Sequence, residues 1–138
     1  LARAVERGVP LPLSQAKARR SLLGAENAAS AILAALQAKP ASSRTYHVAD
    51  QETPSVCELI EQIGVAIGKR ARLFNVPLRI LRAGAFLSGR QQMLSRLIEP
   101  LRVDTSRIEQ ELNWRAPHSL AEGLRQMADA RVRQQERR

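Results

Sequence analysis

Three observations predict a helix-rich α/β chain, an α+β fragment in which short strands are outnumbered by helices. Apolar residues recur at helical spacing in several stretches, most clearly Val56, Leu59, Ile60, Ile63 and Ile67. The β-prone runs are few and brief, and four short strands make a poor free-standing sheet. A length of 138 residues holds one domain or part of a larger one, and is too short for two independent cores. The expectation is one domain over 1–138, with an extended opening segment at 1–13 and a frayed basic tail at 131–138.

Each element has a local reason. Residues 1–8 carry no clear start or stop signal and read like the middle of a longer chain. In Val9-Pro10-Leu11-Pro12-Leu13, two prolines forbid helix and favour extended backbone. Ser21-Leu22-Leu23 reads as the end of a strand. Asn27 is the expected N-cap of an Ala-rich helix whose buried stripe is Ile32, Leu33 and Leu36. Lys39-Pro40 ends that helix, and Ala41-Ser42-Ser43 is loop. Thr45-Tyr46-His47-Val48-Ala49 is a short strand. Thr53 then caps a helix with Pro54 in its first position, and Gly68 stops it.

A third strand spans 71–76, closed by Pro77. Helices follow at 78–87, stopped by Gly89, and at 91–98, broken by Pro100. Leu101-Arg102-Val103 is extended, and Asp104 caps a helix at 105–112. Ser119 and Glu122 have capping-box spacing for the last helix, whose stripe is Leu120, Leu124, Met127 and Ala128.

Composition excludes several classes. The hydrophobic fraction of 44% excludes global disorder, and no apolar run approaches the ~18 residues of a spanning helix. The single Cys57 excludes a disulfide framework and a cysteine zinc cage, and points to a reducing, cytoplasmic setting. His47 and His118 are far apart with no acidic cluster beside them, so no metal site is expected. There is no G-x-G-x-x-G. The only tyrosine, Tyr46, is followed four positions on by Asp50 rather than Lys. No catalytic constellation is complete.

Charge is the positive signal. The chain has 22 basic and 13 acidic residues, a net of +9, and all but Lys17, Lys39 and Lys69 of the cations are arginines. Such a chain attracts anions: nucleic acid, an acidic membrane surface or a phosphorylated small molecule. From Gly64 to Ile98 there is no acidic residue, while Lys69, Arg70, Arg72, Arg79, Arg82, Arg90 and Arg96 all fall there. Arginine's planar fork binds phosphate oxygens bidentately. The bland reading of the same run is a solvated basic face. A small nucleic-acid-binding domain is the alternative from another class. It is weakened by 3% aromatics, which leave few stacking platforms.

Three places carry a resemblance. The first is Pro10-Leu11-Pro12-Leu13, then Arg19-Arg20-Ser21-Leu22-Leu23-Gly24 and Asn27. The second is the strand at 45–49 with Asp50 and Thr53-Pro54. The third is Arg96-Leu97, Val103-Asp104, Glu111-Leu112-Asn113-Trp114, Pro117 and Ser119-Leu120-Ala121-Glu122-Gly123-Leu124. Together they resemble the C-terminal half of extended short-chain dehydrogenase/reductases, in the NAD-dependent nucleotide-sugar epimerase/dehydratase branch. The resemblance runs from about Pro10 to Met127, and the L-N-W-x-x-x-x-S-L-x-E-G-L ending is its most specific piece.

That resemblance implies a substrate-binding domain whose Rossmann, NAD-binding half, with its Tyr-x-x-x-Lys pair, is missing here. The implied function is the UDP-sugar-binding half of an epimerase acting at sugar C4, with a reductase or dehydratase half as the alternative. It implies NAD in the parent but none on this chain alone. The implied partners are a UDP-sugar, the N-terminal Rossmann domain and a homodimer mate, with no membrane. Leu11, Pro12 and Leu13 would run along the base, Arg20 and Arg96 would clamp the diphosphate, and Asp104 would cap a helix near the ribose. Trp114 is a packing residue. The Ser21-Leu22-Leu23 run departs from the epimerases proper, which favours a polysaccharide-pathway relative.

Overall fold

A computed structural model describes residues 1–38 and 44–136, with side chains through 133. It contains seven helices among the described residues. They are α1 (Ala2–Glu6), α2 (Ala25–Gln37), α3 (Val56–Ala66), α4 (Leu78–Leu87), α5 (Gln91–Ile98), α6 (Ser106–Leu112) and α7 (Leu120–Glu136). Strand pairing is limited to three isolated bridges: Leu11 with Leu73, Arg19 with Ser55, and Arg20 with Leu101. The chain is therefore α-rich, and none of the expected short strands forms a ladder.

The chain divides into two compact units, each built from two segments: Leu1–Arg20 with Pro54–Leu101, and Ser21–Thr53 with Arg102–Arg138. In the first unit, α1 packs on α3 and α4 packs on α5. Its buried residues include Val5, Leu13, Ala16, Val56, Ile60 and Ile63. The opening segment is thus not extended throughout, since Ala2–Glu6 is helical and buries Val5.

Helix α3 begins with a complete capping box. Ser55 Oγ accepts from Glu58 N–H at 3.2 Å, and Ser55 N–H donates to Glu58 Oε2 at 2.8 Å. Ser55 is therefore the N-cap rather than Thr53, and Pro54 stands before the helix. The predicted stripe of Val56, Ile60 and Ile63 is buried. Past the helix end, Gly68 takes φ +66°, which lets Lys69 N–H return to Gly64 O at 2.9 Å. That return brings the chain so close that a Cβ on Gly64 would stand 2.6 Å from Lys69 O. Helices α4 and α5 have the predicted bounds, with Gly89 at φ +67° between them.

The second unit centres on Ala31, Ile108, Trp114 and Ala116, with Ala34, Tyr46, Val48 and Leu112 packed against them. Trp114 is a packing residue, and its Nε1–H donates to Ser30 Oγ at 3.0 Å. The predicted face of α7 is sound: Leu120, Leu124 and Ala128 are buried, and the Ser119–Glu122 box forms. Residues 131–136 continue α7 as helix, and 137–138 of the expected tail lie outside the described residues.

Helix α2 departs most from expectation. Its N-cap is Gly24, and Asn27 lies inside the helix, 2% exposed. The expected stripe is reversed: Ile32, Leu33 and Leu36 are 61, 58 and 76% exposed, while Ala31 is buried. The small alanine face allows close approach to Trp114, so the large residues turn away. Periodicity shows that an apolar stripe exists, but not whether its partner is in the chain. The predicted stop and loop at 39–43 lie outside the described residues.

Candidate functional site

Five of the six predicted site residues share the first unit. Leu11 N–H donates to Arg72 O at 2.8 Å, and Phe74 N–H donates to Leu11 O at 3.0 Å. Leu11's amide is thus engaged by the bridge. Leu13 is buried, so its side chain serves the core, while Pro12 is half-buried. Arg20 N–H donates to Pro54 O at 3.0 Å, and Leu101 N–H donates to Arg19 O at 3.1 Å. These bonds seat Arg20 beside the segment that follows α5. Arg96 lies in the last turn of α5, where a cation also complements the helix dipole. Arg20 is half-buried and Arg96 exposed.

Asp104 belongs to the second unit. Its Oδ1 accepts from Ser106 N–H at 2.9 Å at the start of α6. That bond, aided by the Ser106 side chain and the nearby His47, holds the Asp104 carboxyl below its ordinary range. The N-cap itself is Thr105. The Asp104 carboxylate thus has a structural task in the turn.

The first unit also carries a basic hollow that motif reading missed. A concavity of about 640 Å³ is lined by Val5, Glu6, Arg7, Gly8, Lys69, Arg70 and Arg72. Lys69 Nζ donates to Glu6 O at 2.6 Å, which ties α1 to the turn after α3. The acid-free run from Gly64 was the available signal for three of these cations. Arg7 comes from the other end of the segment, and only folding joins it to them.

The second unit is polar in a different way. Asp50, 7% exposed, accepts from Gly24 N–H at 3.0 Å and from Asn27 Nδ2 at 2.7 Å. Asn27 also exchanges hydrogen bonds with the His118 backbone, 2.9 Å each way. Ordinary sequence reading treats Asn27 as a cap. In the fold it joins α2 to the approach to α7. A smaller hollow of about 300 Å³ lies nearby, with Ser21, Asp50, Thr105 and Trp114 in its wall.

Tyr46 Oη donates to Glu111 Oε2 at 2.8 Å, and this bond raises the phenol above its usual range. A catalytic tyrosine needs the opposite shift. Arg44 lies 2.8 Å from the same carboxylate. Cys57 is half-buried in the first turn of α3, and no group of His, Cys, Asp or Glu among the described residues could hold a metal ion. No helix among them is long and apolar enough to cross a membrane.

One position that an NAD pyrophosphate could use is occupied. The one helix opened by glycine in the second unit is α2, and its first amide is taken by the Asp50 carboxylate. A dinucleotide's pyrophosphate needs that position open to an anion.

No family model matches the chain. Among curated proteins, UDP-glucose 4-epimerase of Vibrio cholerae is 30% identical over 131 residues. The match covers 94% of this chain but only 40% of the relative's length. Nearly all of this sequence is therefore similar to part of a UDP-glucose 4-epimerase.

Proposed function

We propose that this chain is the UDP-sugar-binding part of an NAD-dependent epimerase acting at sugar C4. The observation that carries the reading is the similarity to the Vibrio cholerae enzyme over 94% of the chain. Two features support it. Leu11, Pro12, Leu13, Arg20 and Arg96 belong to one compact unit. In addition, residues 45–48 alternate between inward Tyr46 and Val48 and outward Thr45 and His47, and Ala49 after them is buried. Among the described residues, their backbone groups bond to no other backbone. An extended segment of that kind fits a sheet completed by another stretch of polypeptide.

In this reading the chain binds and orients, and no oxidation or reduction step is assigned to it. Arg20 and Arg96 clamp the diphosphate with charge-assisted forks, and the Pro12 backbone lies along the base. Binding the remote nucleotide positions the sugar for chemistry carried out by residues elsewhere in the longer protein.

Calorimetric titration with UDP and UDP-glucose tests it. Both should bind. Arg20→Ala and Arg96→Ala should each weaken binding by about 10-fold or more, as loss of a charged hydrogen bond does. No binding by the chain, or binding by both variants as tight as the parent's, would reject the assignment.

A further inference from the structure

We infer that the α4–α5 pair is an interfacial surface that docks on an anionic membrane. This reading does not depend on the proposed catalytic parentage. The two helices pack on each other, yet neither contains a buried residue. Ile80, Phe86, Leu87 and Met93 are 62, 69, 86 and 66% exposed.

The layout within α4 explains why. Leu81 and Ala85 lie on one side and are half-buried. Ile80, Ala83 and Leu87 fall roughly opposite at 100° per residue, and all three are exposed. A helix with apolar residues on opposite sides has two apolar partners to satisfy. Its only polar side chains are Arg79 and Arg82. Water is a poor match for the outward side.

Charge selects the occupant. Between Gly64 and Ile98 there are seven cations and no carboxylate, and Arg79, Arg82 and Arg90 are interspersed in sequence with the exposed apolar residues of α4 and the turn into α5. Arginine stems can lie along acyl chains while their guanidiniums reach lipid phosphates. That combination of bulky apolar residues and basic flanks is what an interfacial helix requires. A nucleic-acid backbone would engage the arginines but leave Ile80 and Leu87 without a partner. A second copy would set one all-cationic surface against another. At 10 and 8 residues the helices are far short of the ~20 needed to span a bilayer, so the surface would lie in the interface rather than cross it.

Co-sedimentation of the 138-residue chain with lipid vesicles tests the inference. The chain should bind vesicles of phosphatidylcholine with phosphatidylserine and bind weakly or not at all to phosphatidylcholine alone. The double variant Ile80→Ser with Leu87→Ser keeps the net charge. It should lose about 10-fold in vesicle affinity with an unchanged circular dichroism spectrum. Arg79→Gln and Arg82→Gln should each cost about five-fold. Absence of binding to the anionic vesicles at low salt would overturn the inference. So would equal binding by the Ile80/Leu87 variant, which would reduce the effect to net charge. Duplex DNA binding that displaces the vesicles and ignores the Ile80/Leu87 change would assign the surface to nucleic acid instead.

Discussion

The two units differ sharply in charge. The first has 12 basic and 4 acidic residues, a net of +8; the second has 10 and 9, a net of +1. Almost all of the chain's excess charge therefore belongs to one unit. In the second, opposite charges pair at the surface: Glu111 with Arg44 and Arg107, and Glu109 with Arg115. In the first, four carboxylates cannot match twelve cations, so the unit presents a positive field. A single net charge for the chain conceals this division. One unit pairs most of its charges with one another, and the other carries nearly all of the unbalanced positive charge.

The comparison can be broken most forcefully at Asn27. Asn27→Ala removes three hydrogen bonds from the second unit and leaves the Asp50 carboxylate and the His118 backbone short of partners. A loss of about 3 kcal/mol in urea denaturation is expected. A change below about 0.5 kcal/mol would mean the buried network is not what holds this unit.

The first unit has its own sensitive point at close backbone packing. Gly64→Ala drives a Cβ against Lys69 O and should cost about 2 kcal/mol. Gly84→Ala, where nothing lies within 4 Å, serves as the control and should be neutral or slightly stabilising. Equal effects would show that the turn after α3 yields freely.

Acid should separate the units. Hydrogen bonds hold Glu111, Glu122 and Asp104 below the ordinary carboxylate range in the second unit, and Glu58 in the first. A depressed carboxyl stabilises the fold above its unfolded pKa, about 4. That contribution is lost as pH falls through the folded value. Hydrogen exchange from pH 6 toward pH 3 should therefore show protection falling earlier in the second unit. Simultaneous loss, or earlier loss in the first, would contradict the assignment.

Smaller effects sharpen the picture. Ser55→Ala removes one half of the α3 capping box and should lower stability by about 1 kcal/mol. Ile32→Ser combined with Leu36→Ser should leave the isolated chain within about 0.5 kcal/mol of its parent, because both side chains face outward. A loss of several kcal/mol there would restore the stripe to the core.

Helices α3, α4, α5 and α7 were legible because their signals are local: apolar spacing, a capping serine, a glycine able to take positive φ. The same locality explains the misses. Asn27 has the chemistry of an N-cap, but its partners are 23 and 91 positions away, at Asp50 and His118. The predicted arginines Arg20 and Arg96 fall in one unit with Leu11, Pro12 and Leu13, whereas Asp104 does not. Arg7's place in the basic hollow had no local signal.

By itself the sequence determined which segments coil, which turns need glycine, and that the chain carries an excess of arginine. Those depend on backbone sterics, short-range spacing and simple counting. Only the tertiary structure decided which side of α2 is buried, where the +8 resides, and which carboxylates are bonded. Each of those depends on which residues distant in sequence become neighbours. The segment at 45–49 shows the boundary most clearly. Its short β-prone run made it look like a strand, but a strand exists only when another backbone accepts its hydrogen bonds, and none among the described residues does.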